Sequence, residues 1–78
     1  MSATGEEMYS QDVHVIPHGA DWATRVEGSL RVTRVFWTKG EAIDVGRLQA
    51  ARRHARLIIH RRDGSIEASD PDISVAYG

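Results

Sequence analysis

Thr38-Lys39-Gly40-Glu41 fixes one boundary of this chain, and the remaining elements can be laid out on either side of it. Thr-x-x-Glu directly before Ala42-Ile43 is a capping box. The Thr hydroxyl accepts from the amide three residues on, and the Glu carboxylate reaches back to the Thr amide. Upstream, Leu30 to Trp37 is β-rich, so the chain passes from strand to helix at Thr38.

The helix is expected from about Lys39 to Arg53. Ala42, Ile43, Gly46 and Ala50 fall at helical spacing and form its sheet-facing stripe. Gly46 costs roughly 1 kcal/mol against Ala inside a helix, which makes sense where the helix backbone lies close against a sheet. No Gly ends the helix. His54 is the residue expected to take the left-handed position there, which His tolerates better than most.

Before the helix, Val13-His14-Val15-Ile16-Pro17 reads as a first strand. Pro17 cannot donate to a ladder, so it marks an edge strand or a strand end. His18 to Asp21 is a turn. Trp22 to Glu27 alternates, with Trp22, Thr24 and Val26 on one face. Gly28-Ser29 fits a two-residue turn. Leu30 to Trp37 is the third strand, with Leu30, Val32 and Phe36 toward one side and Arg34 breaking the alternation as a bulge would. After the helix, Leu57 to His60 is an apolar strand, Asp63-Gly64 a hairpin turn and Ser65 to Ala68 the returning strand. The order is β-β-β-α-β-β. The fold class is α+β, a small antiparallel sheet with one helix packed across it. Residues 1–12 read as a disordered acidic arm, 13–69 as the single domain and 70–78 as an acidic tail.

The chain has 78 residues. A domain this short buries only about 60% of the surface its chain exposes. There is no Cys to add a disulfide or a thiolate metal site. Homo-oligomerisation is then the natural way to bury more apolar area. No apolar run approaches a membrane span, and Met1 to Asp12 is polar and acidic, unlike a signal peptide. A soluble, cytoplasmic protein is expected.

The formal net charge of −1 conceals a layout. Residues 13–66 hold all ten basic residues against five acids, a net of +5, while the flanking segments hold acids only. From Val45 to Arg62 there is no acid. The stretch supplies Arg47, Arg52, Arg53, Arg56, Arg61 and Arg62, a candidate anion or nucleic-acid surface, since Arg contacts to phosphate need only a positive face. Against that, Arg47, Arg52 and Arg53 point to different sides of a helix, and Arg56 and Arg61 to opposite faces of a strand. The acidic ends are expected to fold back over this basic body and weaken its attraction for anions.

Taken together, Val15-x-Pro17, Trp22 with Val26 and Gly28, Phe36-x-Thr38-Lys39-x-Glu41-Ala42-Ile43, Ile59-His60 and Asp63-Gly64-x-Ile66 resemble the bacterial family known as domain of unknown function 2188. The resemblance covers roughly residues 14–66. The chain departs from the pattern at Thr24, a usually apolar place, at Gly46 where Ala is common, and after Asp70. The resemblance implies a small β-rich domain with one helix and implies no activity.

Chemistry-bearing patterns are few. His14 and His18 share a strand face by period two, but Pro17 intervenes, and neither shows ligand spacing with His54 or His60. Surface histidines and no metal are expected. No Ser sits in a nucleophile elbow and no Gly-rich phosphate loop is present. No catalytic residue, cofactor or small-molecule substrate is expected, and the reading is a non-enzymatic interaction module. Val45 and Leu48 lie beside the helix stripe, and Val35 and Trp37 alternate away from Phe36. These four surplus apolar residues are the expected contact of a homodimer, unless Ile73, Val75 and Tyr77 cover them. The alternative reading is a nucleic-acid-binding protein using the Arg-rich stretch, with Trp22 and Trp37 as stacking platforms. Alternation with Val26 puts Trp22 in the core instead.

Overall fold

A computed structural model describes residues 11–70 of the chain. The elements are β1 (Val13–His18), β2 (Asp21–Val26), β3 (Arg34–Phe36), α1 (Lys39–Arg53), β4 (Leu57–His60) and β5 (Ile66–Asp70). They form one five-stranded sheet in the order β3-β2-β1-β4-β5, with α1 packed across it. Among the described residues no helix is long and apolar enough to cross a membrane.

The α+β class and the element order are those legible in the sequence. The sheet, however, is mixed: β1 pairs β4 in parallel, and the other three pairings are antiparallel. The direction follows from the path. The β1-β2-β3 meander leaves β3 running with β1. A 15-residue helix, about 22 Å long at 1.5 Å per residue, then carries the chain back to the end where β3 began. Strand β4 therefore starts level with β1 and runs with it. Pro17 lies inside β1, opposite Trp22 of β2, but beyond the last β1–β4 pair, Val15–Ile59, so the pairing with β4 ends before the residue that has no N–H to give.

Helix α1 begins and ends as its caps dictate. The Thr38 hydroxyl accepts from the Glu41 amide at 3.1 Å. His54 adopts φ 56° and ψ 40°, the left-handed conformation, and its amide turns back to Ala50 and Ala51 carbonyls. Ala42, Gly46 and Ala50 are the buried helix positions. They meet Val13, Val15, Trp22, Phe36, Leu57 and Ile59 from the sheet, with Ile43 and Val45 packed at the margin. A Cβ on Gly46 would stand 2.9 Å from Leu57 Cδ1 and 3.3 Å from methyls of both Thr24 and Val15. The glycine is the point of closest approach between helix and sheet.

The third strand is shorter than the β-rich run suggests. Only Arg34–Phe36 pairs with β2, through Trp22–Phe36, Ala23–Val35 and Thr24–Arg34. Leu30 is 97% exposed and belongs to a loop. Gly28, at φ 85°, sits third in a turn closed by the Ser29 amide on the Val26 carbonyl at 2.9 Å. That geometry ends β2 without starting a two-residue hairpin, and the chain rejoins the ladder only when Thr33 donates to the Thr24 carbonyl at 2.6 Å. The bulge expected at Arg34 lies elsewhere, in the β4–β5 ladder at Ile59/His60. Asp70 is the last residue of β5, opposite Leu57. The remainder of the acidic tail, including Ile73, Val75 and Tyr77, and residues 1–10 of the acidic arm lie outside the described residues.

Candidate functional site

The six arginines of the basic stretch divide between the two ends of the sheet. At the end where α1 finishes and β1 and β4 begin, Arg47 Nε donates to Asp70 at 2.6 Å. Arg53 donates to Gln11 at 3.1 Å, and Arg56 to Asp12 at 2.8 Å. Asp12 also accepts from the Arg56 amide. Two acids from the flanking segments are thus spent on this end of the basic body. Arg52 is exposed in the last helical turn, where a cation complements the helix dipole.

At the opposite end, Arg61 holds the β4–β5 hairpin through Ser65 and the Ile66 carbonyl, and Arg62 donates to the Gly19 carbonyl at 3.1 Å. Arg62 also lies over the Trp22 ring, 4.6 Å from its centroid, and Lys39 is 5.0 Å from the same centroid. Trp22 is core, as its alternation implies, with cations at its margin. Lys39 is hydrogen-bonded to Glu67 of β5 as well. That bond is the main reason the Glu67 carboxyl titrates below its ordinary value. Hydrogen bonds from the Ser65 hydroxyl and amide hold Asp63 below its ordinary value in the same way. The arginines therefore do not make one positive face.

The expected dimer contact is likewise divided. Val45 packs against the chain's own core. Leu48 is 60% exposed on the helix. Val35 is 42% exposed on the sheet face turned away from the helix, and Trp37, directly after β3, is 87% exposed.

That far face is the distinctive surface. Strand alternation places Val35, Ala23, Ile16 and His60 in one row across it and Arg25, His14, Ile58 and Ser69 in the next. No described helix packs on it, although Ala23 and Ile58 within it are buried. At its centre, His14 of β1 and His60 of β4 are diagonal neighbours, within reach of long side chains. His14 Nδ1 and His60 Nε2 are 2.8 Å apart, with ring centroids at 5.0 Å and planes inclined by 31°. His14 Nε2 meets Glu27 Oε1 at 2.5 Å, and His60 Nδ1 donates to the Gly64 carbonyl at 2.9 Å. Nothing in the spacing marks this pair, because residues 46 apart become neighbours only through the parallel pairing of β1 with β4. Val13 and Val15 on either side put His14 on the far face of its strand, but the continuous run Leu57-Ile58-Ile59 before His60 carries no such signal. Among the described residues no group of three or more His, Cys, Asp or Glu is placed to hold a metal ion. A cavity of about 150 Å³ lies under the Arg47–Asp70 pair, lined by Ala50, Ala51, Ala55 and Leu57. It is small beside the several hundred Å³ of ordinary ligand sites.

The model of the family described as an uncharacterized protein conserved in bacteria, DUF2188, matches residues 13–70. The chain belongs to that family. The match takes in β1 through β5, so the family's unit and this sheet with its helix coincide. The DUF2188 chain is also similar to the uncharacterized protein YdaT of Bacillus subtilis (strain 168), 38% identical over 66 residues. That alignment covers 85% of this chain and 44% of YdaT, so the chain spans less than half the length of the curated relative it matches. No solved structure matches it.

Proposed function

We propose that this domain is a non-enzymatic interaction module that acts as a homodimer, joined at the β3 side of the open sheet face. The observation that carries the reading is the exposure of Val35 on the edge strand β3 together with Trp37 directly after it. Apolar side chains bared side by side mark a contact surface. A second copy is the occupant because a core of this size gains most from sharing area. A two-fold axis lets one patch serve both protomers. About 1,200 Å² buried in total makes such an interface stable.

Light scattering at micromolar concentration tests it. The unmodified protein should run as a dimer, and Val35→Glu or Trp37→Glu as a monomer. Leu48→Glu, on the helix, should leave the dimer intact. A monomer for the unmodified protein ends the proposal. Nucleic-acid binding is the weaker reading, since Arg47 and Arg56 are already paired with acids and Arg61 and Arg62 with carbonyls. Binding to a generic duplex and a single strand, titrated with salt, separates the two: a steep salt slope belongs to phosphate contacts.

A further inference from the structure

Hydrogen bonds at the outer nitrogens orient both histidine rings. Glu27 and the Gly64 carbonyl can only accept, so His14 Nε2 and His60 Nδ1 both carry hydrogens. That leaves the two inner nitrogens, His14 Nδ1 and His60 Nε2, facing each other at 2.8 Å. Both rings are oriented by their outer N–H groups, one on a carboxylate and one on a backbone carbonyl. That is the arrangement that fixes metal-ligating histidines, where the outer partner sets ring orientation and tautomer.

We propose that the His14–His60 pair is a transition-metal site, in which an ion such as Zn²⁺ or Cu²⁺ binds between the two inner nitrogens. Imidazole nitrogen suits both ions. Zinc bonds to nitrogen at about 2.0–2.1 Å in tetrahedral geometry need the two nitrogens about 3.3 Å apart. Centroids 5.0 Å apart with nitrogens at 2.8 Å set the two rings nearly in line, so to converge on one tetrahedral ion they have to part by roughly 0.5 Å and each turn by roughly 35°. His14 Nδ1 and His60 Nε2 are the ligands, and Glu27 and Gly64 hold the rings from behind. Water fills the remaining positions, so the site is open and exchangeable, not a closed structural one. His14 keeps 17% of its side-chain surface in contact with solvent. Ile16 and Ile58, on the other diagonal of the same square of residues, give the site apolar flanks. The site lies within one chain and does not depend on the dimer.

The test is calorimetric titration of the untagged protein with zinc chloride, in two buffers of different ionisation enthalpy. The expected result is one ion per chain, with protons released on binding, since the ligand nitrogens must be deprotonated to hold a metal. His14→Ala and His60→Ala should each abolish binding, while His18→Ala should leave it unchanged. Glu27→Gln, a change at an exposed side chain, should fold normally and weaken binding about 10-fold or more through its outer-shell role. Nitrogen-15 spectra of the imidazoles should show zinc acting on His14 Nδ1 and His60 Nε2, and not on the outer nitrogens. Absence of saturable binding, binding that survives both alanine variants, one ion per two chains, or zinc on His14 Nε2 would each overturn the proposal.

Discussion

Gly46→Ala should destabilise the protein, although Ala is the better helix former. In an open helix interior the exchange would gain about 1 kcal/mol. Here the new methyl would stand 2.9 Å from Leu57 Cδ1 and 3.3 Å from Thr24 Cγ2 and Val15 Cγ2. Leu57, Thr24 and Val15 are all fully buried. The last two are β-branched residues of the central strands, stiff at χ1, so they yield only if the sheet moves from the helix. Overpacking of this kind costs about 1–3 kcal/mol. The net expectation is a loss of about 1 kcal/mol, and a fall of roughly 4–8 °C in Tm for a domain of this length. Gly40 supplies the control. It lies in the first turn of the same helix with nothing within 4 Å of an added Cβ. Gly40→Ala should therefore stabilise by up to about 1 kcal/mol. Urea melts followed by tryptophan fluorescence measure both, read as midpoint shifts at unchanged slope. If Gly46→Ala proves as stabilising as Gly40→Ala, the helix does not rest on the sheet at that residue, and the account of the core is wrong.

Three further outcomes follow from the same packing. Thr38→Ala removes the acceptor of the Glu41 amide and should cost about 1 kcal/mol in the same melts. Thr24→Val should stabilise by about 1 kcal/mol, because the Thr24 hydroxyl oxygen is buried with no hydrogen-bond partner and an unsatisfied buried polar group costs roughly 1–3 kcal/mol; a melt showing lower stability would mean that the hydroxyl is satisfied. Glu67 titrates below its ordinary value of 4.5, first because Lys39 donates to it. A lowered folded value means its contribution to stability is present above pH 4.5 and lost as pH falls through the folded value. Melting temperature followed into acid should thus fall less steeply for Glu67→Gln than for the unmodified protein, the two curves converging at the acid end. Parallel curves would show that the Lys39 contact is not formed in solution.

How much of this was legible in the sequence depended on range. Thr38, Gly46 and His54 each announce a backbone requirement through their own chemistry, and the helix between them runs over the expected residues. Trp22 likewise declares itself core by its alternation with Val26. Leu30 misleads because β-rich composition does not reveal that Gly28 adopts φ 85° and sends the chain into a loop before β3. Val45 misleads because an apolar residue beside a helix stripe can still reach the rim of a core made by Ala42 and Ala50, whose small side chains let the helix settle low on the sheet. The arginines mislead by being counted together, when the fold sends them to opposite ends and gives most of them local partners.

The open face was illegible for a different reason, which is topological. Each of its residues is ordinary in its own strand, and the pairing of His14 with His60 exists only because the helical return sets β4 parallel to β1. The same face depends on the irregularity beside His60. Ala68 stands opposite Ile59, yet Ile66, not Glu67, stands opposite His60. In an unbroken ladder Glu67 would occupy that place and put a carboxylate next to the histidine pair. The extra residue instead releases Glu67 to meet Lys39 at the helix side and leaves an apolar neighbour beside His60. A bulge re-aims side chains in this way because one inserted residue exchanges the two faces of a strand. Two separate features, the lysine contact that couples β5 to α1 and the uncrowded histidine pair, are thereby consequences of one register shift.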